Sequence, residues 1–273
     1  MSPAGPGSLA SLDGEIMATA EATIPVADEG LVRGDGVFEV IRVYEGVPYA
    51  MEEHLARMER SAANIRLPVD LEAVRAEAFR LLAQVNSMPV DPEHDLLRIM
   101  VTRGGRRVMF TEPLPAHPER MRLMSVTYSP TRILDGIKSL SYAANMLAGR
   151  LAREQGFDEA LLVTPHGRVL EAPTSSIFWV KAGRLLTPPL GEHILASITR
   201  ALVIKVTGAQ EQSCTLEELY AADEVFLAST TREVEPVAAV DDRAFDGLTP
   251  VSDSAREATV AAIRAVLDAA SGR

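Results

Sequence analysis

The chain has 273 residues and a formal net charge of −11, from 38 acidic and 27 basic side chains. The length allows one large or two modest domains, and the charge disfavours binding to nucleic acid or to an anionic membrane surface. No apolar run is long enough to span a bilayer, and the amino-terminal segment lacks the basic and apolar regions of a signal peptide. We therefore expect a cytosolic protein. Cys214 is the only cysteine, which excludes an internal disulfide and a thiolate zinc site.

The first half of the chain predicts strands that alternate with helices. β-Branched and alternating apolar residues indicate strands over 15–28, 37–51 and 96–105. Apolar residues three and four positions apart indicate amphipathic helices over 52–67 and 71–86. The first half should thus form a sheet with two helices.

The second half begins after a connector rich in proline, glycine and aspartate, residues 128–136, which predicts an interdomain linker. We expect a smaller domain over 1–127 and a larger one over 137–273. Within the larger domain the pattern predicts a helix from Lys138 to about Gly156. It further predicts these elements in chain order: a hairpin turned at His166–Gly167, a second turned at Ala182–Gly183, a helix from about Ser197, a capping box of Thr215 with Glu218, and a strand over 223–230.

Lysine is rare in this chain, since 24 of its basic residues are arginine and only Lys138, Lys181 and Lys205 are lysine. Lys181 lies in a predicted turn, and Lys205 lies on a helix whose period directs it outward. Lys138 stands at the start of an apolar, alanine-rich segment. Its side chain either extends to solvent from the helix end or occupies a partly desolvated site, where a lowered pKa would let the amine form a Schiff base.

A Schiff base with pyridoxal phosphate would require an anion site and an acid for the pyridine nitrogen. The predicted helix start at Ile198–Thr199 offers N–H donors, and the turn Ser229–Glu233 adds hydroxyl groups. Arg57 or Arg60 could supply a positive charge. Glu171, at the end of an apolar run, could keep the pyridine nitrogen protonated. Each feature has an ordinary alternative, as a helix cap, a solvated charge or a strand end.

Five segments occur in an order typical of one enzyme family. They are residues 33–62, 136–163, 167–189, 194–203 and 226–237. Over roughly residues 20 to 240 the chain resembles the class IV, fold-type IV pyridoxal-phosphate enzymes, which include branched-chain and D-amino-acid aminotransferases, (R)-selective amine transaminases and aminodeoxychorismate lyases. The resemblance implies an α+β fold with an amino-terminal α/β sandwich, a carboxy-terminal pseudo-barrel, pyridoxal phosphate between them, and a homodimer.

The resemblance also implies roles for individual residues. Lys138 resembles the Schiff-base lysine that moves the substrate proton, Tyr142 the tyrosine near the cofactor phenolate, and Glu171 the acid at the pyridine nitrogen. Arg60 is expected to be a solvated helix residue. The remaining cofactor contacts implied are Arg57, Ser175, Ile198, Thr199, Ser229 and Thr230, and no metal ligand is implied. Two positions depart from the family pattern, because Asn is common where this chain has Ser141, and Glu-Gly-x-x-x-Asn is common where it has residues 171–176.

Substrate class rests on a few positions. The substrate residues that the resemblance implies are Phe38, Val40, Arg98, Arg106, Arg107 and Thr231. Lyases of the family tend to have Thr at position 40 and Lys at position 98, and both are absent here. D-Amino-acid transaminases tend to have Tyr at position 38 and an Arg-x-His trap, whereas residues 106–109 read Arg-Arg-Val-Met.

Branched-chain enzymes tend to have Phe at position 38 and Arg at position 98, and both are present here, but their Gly at position 40 and Tyr at position 96 are not. We therefore predict ping-pong transfer of an amino group between a hydrophobic amino acid or (R)-amine and a 2-oxo acid. Arg98, Arg106 and Arg107 could pair with a substrate carboxylate, although the last two could equally be solvated loop charges. The alternatives are a lyase that eliminates pyruvate, a D-amino-acid aminotransferase and a binding protein without chemistry.

Overall fold

The computed structural model describes residues 8–88 and 95–271, without the side chains of residues 270 and 271. The chain divides into two compact units. Unit 1 comprises Met1–Pro115 with Ile137–Tyr142, and unit 2 comprises Ala116–Gly136 with Ala143–Arg273. This division differs from the predicted one, because it begins unit 2 at residue 116 and assigns the segment 137–142 to unit 1.

Unit 1 is an antiparallel sheet covered by helices. Its strands are β1 Leu9–Leu12, β2 Glu15–Ala18, β3 Gly36–Tyr44, β4 Val47–Pro48, β5 Leu96–Thr102 and β6 Arg107–Glu112, and its helices are α1 Glu29–Arg33, α2 Met51–Asn64 and α3 Leu71–Asn86. The strand order is β2-β1-β6-β5-β3-β4. Apolar residues that alternate along β3 and β5 pack against α2 and α3, so one face of the sheet forms the core.

Two strands predicted for unit 1 differ in the structure: the first is shorter than predicted, and a turn divides the second into two strands. The strand predicted over 15–28 ends at Ala18, before a segment with Pro25, which cannot donate to a ladder. The strand predicted over 37–51 is a hairpin of β3 and β4 that turns at Glu45 and Gly46, both with positive φ. The predicted helices are confirmed as α2 and α3, with bounds within three residues.

Unit 2 is a mixed sheet buried on both faces. Its strands are β7 Met121–Thr127, β8 Glu159–Val163, β9 Ser176–Lys181, β10 Arg184–Thr187, β11 Gln210–Glu211, β12 Glu224–Ser229, β13 Glu233–Val240 and β14 Arg243–Ala244, and its helices are α4 Ala143–Glu154, α5 Ile198–Thr207, α6 Leu216–Tyr220 and α7 Pro250–Ser271. The order is β11-β10-β9-β12-β13-β7-β8, with β14 beside β13. β12 and β9 lie at the centre and are almost wholly buried, as expected of strands covered on both faces.

Most of the elements predicted for unit 2 are confirmed. The turn at Ala182–Gly183 joins β9 to β10, and the turn before Gly167 is closed by the Thr164 N–H, which donates to the Arg168 carbonyl. Ser197 caps α5, and Thr215 with Glu218 forms the capping box of α6. No helix in the described part of the chain combines the length and apolar composition that crossing a membrane requires.

The helix predicted to open at Lys138 begins five residues later, at Ala143, so that prediction was wrong at its start. The backbone of the preceding segment is hydrogen-bonded to β3 instead, through Phe38 N–H to the Lys138 carbonyl and Leu140 N–H to the Gly36 carbonyl. These pairings, with the bridge between Val37 and Ser139, place the segment beside the sheet of unit 1. The helix ends at Glu154, close to the predicted Gly156.

Candidate active site

Lys138 lies in a short extended segment bound to β3 and α2. Its backbone N–H donates to the Ser61 hydroxyl at 3.2 Å, and its carbonyl accepts from the Phe38 N–H at 3.1 Å. The amine nitrogen Nζ lies 4.4 Å from the Phe38 ring centroid and 5.9 Å from that of Tyr142, within reach of cation–π attraction. The two rings meet edge to face at 5.3 Å. Unit 1 thus brings together three of the residues singled out from the sequence.

Ser141 stands where the family commonly has Asn, and its hydroxyl binds backbone. The Oγ donates to the Gly34 carbonyl at 3.0 Å, while the Ser141 N–H donates to the Ser139 hydroxyl at 3.1 Å. Gly34 has φ +68°, and a Cβ there would lie 2.9 Å from the Ser141 Oγ. The close approach therefore requires glycine at position 34. Ser141 thus fixes the segment that carries Lys138.

Arg57 is buried in an ionic cluster with Glu39 and His54. Its Nε donates to Glu39 Oε1 at 2.8 Å and its Nη2 to Oε2 at 2.6 Å, while His54 Nδ1 lies 2.7 Å from the same Oε2. All three residues are at least nine-tenths buried. Such a bidentate contact fixes the plane of the guanidinium group. The predicted contact of Arg57 with the cofactor stays a prediction.

Sequence reasoning missed Glu39 and His54, although a signal was present. Glu39 shares its face of β3 with Val37 and Ile41, so a carboxylate stands where the alternation requires an apolar residue. His54 and Arg57 are three residues apart on the buried face of α2. A buried charge normally has a partner, and these elements supply it.

The cluster also determines charge states. Burial alone would raise the pKa of the Glu39 carboxyl, but the hydrogen bonds and charge of Arg57, followed by those of His54, hold that pKa well below its usual range. Burial lowers the pKa of His54 despite its bond to Glu39, and the charges of Arg57 and Lys138 act in the same direction. At neutral pH Glu39 is therefore ionised and His54 neutral.

The three arginines predicted to meet a substrate carboxylate each pair with a carboxylate of unit 1. Arg98 binds Glu112, Arg106 binds Asp13 and Arg107 binds Glu77, with nitrogen to oxygen distances of 2.6 to 2.8 Å. Arg98 lies opposite Val40 in the β3–β5 register, on the face that carries Phe38. Phe38, Val40 and Arg98 therefore share a surface of the sheet, whereas Arg106 and Arg107 lie at the β5–β6 turn. Their role as substrate contacts stays a prediction.

Glu171 lies in unit 2, in the loop between β8 and β9. Its Oε1 accepts from the Leu195 N–H at 3.1 Å, and its backbone carbonyl accepts from the Leu162 N–H. The carboxylate thus links the strand end to the loop that precedes α5. Burial, and then the nearby charge of Glu171, raise the pKa of the Tyr128 hydroxyl. Glu171 is half-buried and bonded, rather than a solvated strand end.

The predicted phosphate residues of unit 2 lie at a helix start and at a turn. α5 begins at Ile198, and Ser197 accepts from the Arg200 N–H at 3.2 Å, which leaves the earlier N–H groups of the first turn for an anion. Thr199 is buried in that turn. β12 ends at Ser229, whose hydroxyl lies 3.3 Å from that of Thr231, with Thr230 between them. Both places offer hydroxyl and N–H donors.

Arg232, which the sequence analysis did not single out, ties this turn to Ser175. Its Nη1 donates to Thr174 Oγ1 at 3.0 Å and to Ser175 Oγ at 2.6 Å. Its other nitrogens face Glu159 and Glu235 at 3.3 and 3.2 Å, and the guanidinium group is almost wholly buried. The Ser175 hydroxyl, predicted to contact the cofactor, therefore also binds the arginine that follows the Ser229–Thr231 turn.

Comparison with known proteins places these residues in a family. The family model for amino-transferase class IV matches residues 36–240. The chain belongs to the class IV aminotransferases. This aminotransferase is 34% identical to a putative branched-chain-amino-acid aminotransferase of Methanocaldococcus jannaschii, over 86% of this chain and 88% of that one. It is 32% identical to a D-alanine aminotransferase of Bacillus licheniformis, over 84% and 87% of the two chains.

A solved structure agrees with the sequence relatives. A hypothetical aminotransferase from Mycobacterium tuberculosis in its PLP-bound form has 26% identity and a TM-score of 0.84, over 93% of this chain and 98% of that one. The predictions of family, α+β fold and pyridoxal-phosphate-dependent aminotransferase are therefore confirmed.

The residues of this class IV aminotransferase fit pyridoxal phosphate. The cofactor requires an amine, an acid and donors for a dianion, and the chain supplies Lys138 beside two rings, a bonded Glu171 and the first turn of α5. The described residues bring together no group of three His, Cys, Asp or Glu side chains that could hold a metal ion. The N–H and hydroxyl donors of the chain suit the phosphate of the cofactor, and the Lys138 amine suits its aldehyde group.

Proposed function

We propose that this aminotransferase moves the amino group of a hydrophobic amino acid, or of an (R)-amine, to a 2-oxo acid. The observation that carries the proposal is the apolar contact of the Lys138 amine, which lies on the Phe38 ring with Tyr142 beside it. Val40 extends this apolar surface along the same face of β3. An uncharged substrate group would contact these side chains without losing hydration energy. The resemblance to a putative branched-chain enzyme supports the same class of substrate.

In the proposed mechanism Lys138 performs two tasks. Its amine would hold the cofactor between turnovers, and once free it would carry the proton to and from the substrate α-carbon. Bound pyridoxal phosphate supplies an electron sink for the pair that remains when this proton leaves. Phe38 and Tyr142, whose rings lie beside the amine, would orient it for this transfer.

The remaining residues hold the ring in place. Glu171 would keep a proton on the pyridine nitrogen, so that the ring stays electron-withdrawing. Arg57, with its plane fixed by Glu39, would bind the phosphate. The other residues proposed for the phosphate are Ile198, Thr199, Ser229 and Thr230. Together these residues would hold the cofactor and the substrate in a fixed orientation, and fixed orientation of reacting groups lowers the barrier. A homodimer and a cytosolic location stay predictions.

Single amino donors test the proposal. The visible absorption of purified holoenzyme would be followed after addition of L-leucine, D-alanine or (R)-1-phenylethylamine without an acceptor. We expect L-leucine or the (R)-amine to bleach the band of the lysine-bound cofactor, and a 2-oxo acid to restore it. A response to D-alanine alone would favour the activity named for the Bacillus relative. Pyruvate release from aminodeoxychorismate without an acceptor would contradict the proposal in favour of a lyase.

Ser197 allows the α5 anion site to be tested apart from catalysis. Replacing Ser197 by Ala removes the cap acceptor and should cost about 1 kcal/mol of unfolding free energy. Ser197→Asp keeps an acceptor and should restore that stability, but its charge should weaken binding of pyridoxal phosphate to the apoenzyme. Urea unfolding and cofactor titration measure the two effects. Equal cofactor affinity in the Asp variant and the wild type would contradict an anion site at this helix start.

A further inference from the structure

The Phe38 ring is the common neighbour of two cations. The Lys138 amine lies 4.4 Å from the ring centroid, and the guanidinium carbon of Arg98 lies 5.8 Å from it. A substrate whose amino group reacts near Lys138 would therefore place its other end within reach of Arg98. Arg106 and Arg107, the other candidates for a carboxylate contact, pair with Asp13 and Glu77 at the far end of β5 and β6. Arg98 is thus the one of these three arginines that lies beside the Phe38 ring.

The charge of Arg98 is balanced by Glu112. Both Nε and Nη2 of Arg98 contact Glu112 Oε2, at 3.0 and 2.8 Å. Glu112 is opposite Leu96 in the β5–β6 register, so its side chain lies on the same face of the sheet as Phe38 and Val40. The two side chains are only 20% and 17% exposed, which limits how far water can screen the pair. The carboxylate is therefore part of the surface beside the reactive lysine.

We propose that Glu112 is a specificity-determining residue that disfavours a carboxylate in the substrate group beside Phe38. A second carboxylate, as in glutamate or 2-oxoglutarate, would have to displace Glu112 from Arg98 or lie against its negative charge. A neutral side chain neither displaces Glu112 nor brings a negative charge close to it. The ion pair therefore discriminates between neutral and acidic substrates by repulsion as well as by shape. The substrate class is accordingly amines and monocarboxylic amino acids. This inference rests on the proposed function, since it assumes that substrates bind at Phe38 and Val40.

The test compares dicarboxylic with monocarboxylic donors in the first half-reaction. Rates of bleaching of the visible band would give kcat/KM for L-glutamate and L-leucine, or for D-glutamate and D-alanine if the D-series is accepted. In Glu112→Gln the ratio of dicarboxylic to monocarboxylic kcat/KM should rise about tenfold, mainly through a lower KM. The double variant Glu112→Gln with Arg98→Gln should lose this gain, because the cation that attracts the second carboxylate is then absent.

Asp13→Asn is the matched control. It removes the partner of Arg106, a pair of similar length, and should leave the ratio unchanged. If Asp13→Asn raises the ratio while Glu112→Gln does not, the carboxylate contact is at Arg106 and the inference is overturned. An unchanged ratio in a Glu112→Gln holoenzyme with a normal visible band also overturns it. Glu112→Ala serves the same comparison if the Gln variant does not fold.

Failure of the Glu112 inference can be distinguished from failure of the proposed function. If wild-type enzyme bleaches with neither L-leucine nor the (R)-amine but does so with D-alanine, the proposed donor class fails. The ratio measured with the D-series still decides the role of Glu112.

Discussion

Replacing Lys138 by alanine is expected to lower kcat of transamination about 10⁴-fold, because the proton transfer and the cofactor attachment both depend on that amine. The chain has only two other lysines, and both Lys181 and Lys205 are exposed. Steady-state rates with the best donor measure the loss. Borohydride reduction of the wild type, followed by peptide mass analysis, should locate the cofactor on the peptide that contains Lys138.

Lys205→Ala provides the control for this prediction. It makes the same change on the exposed face of α5, and rate and cofactor content should both stay at the wild-type level. Near-normal turnover by the Lys138 variant, or a reduced cofactor attached to another lysine, would show that the assignment is wrong.

Replacing Glu39 by leucine should destabilise the protein by about 3 to 5 kcal/mol, because Arg57 would remain buried without its anion. Glu39→Gln keeps the size of the side chain and one acceptor, so its loss should be smaller. Urea unfolding of the apoenzyme measures both, and cofactor titration should show weaker binding in each variant if Arg57 contacts the phosphate. Unchanged cofactor affinity in a folded Glu39→Gln apoenzyme would argue against that contact.

The exposed Glu52 on the same helix as Arg57 is the control. It pairs with Arg75 at the surface, and Glu52→Gln should change the unfolding free energy much less than either Glu39 variant. Equal losses of unfolding free energy at the two positions would mean that burial of the Glu39 cluster contributes nothing to stability.

The Glu39 cluster also predicts the direction of acid sensitivity. A lowered pKa of Glu39 gives stability that is complete above the pKa of the unfolded carboxyl, 4.5, and is lost as the pH falls towards the folded value. The lowered pKa of His54 acts with the same sign from pH 6.5 downward, because the unfolded chain takes up that proton first. In Glu39→Gln the carboxyl contribution should vanish, and the unfolding free energy should fall less steeply below pH 4.5.

Several residues of the candidate site could be singled out from the sequence because they are rare or carry a local capping signal. Lys138 stood out among three lysines, and the helix start at Ser197 carried its own capping signal. The extended conformation around Lys138 was not predictable, because hydrogen bonds to a strand about a hundred residues earlier override the local helical pattern. The pairing of Arg232 with Glu159 was missed for the same reason, since an ion pair between distant elements has no sequence period. The carboxylate of Glu39 interrupts the apolar alternation of β3, but that pattern does not show that Arg57 is its partner.

The three arginines predicted to contact a substrate carboxylate show a different limit. Sequence could say that Arg98, Arg106 and Arg107 carry charges suited to a carboxylate. It could not say that each is already paired within unit 1, because β-strand register decides which carboxylate lies opposite. If Arg98 contacts the substrate as proposed, specificity would depend on Glu112 as much as on Arg98.

Residues 137–142 belong to unit 1 although they follow the first segment of unit 2, and this has a consequence for recombination between related enzymes. A chimera joined within the connector 128–136 would take Lys138 from one parent and Phe38, Ser61 and Gly36 from the other. The backbone bonds of the lysine segment would then span the two parents, whatever the similarity of their larger units. A junction placed after Tyr142 instead inherits the lysine together with the strand that holds it.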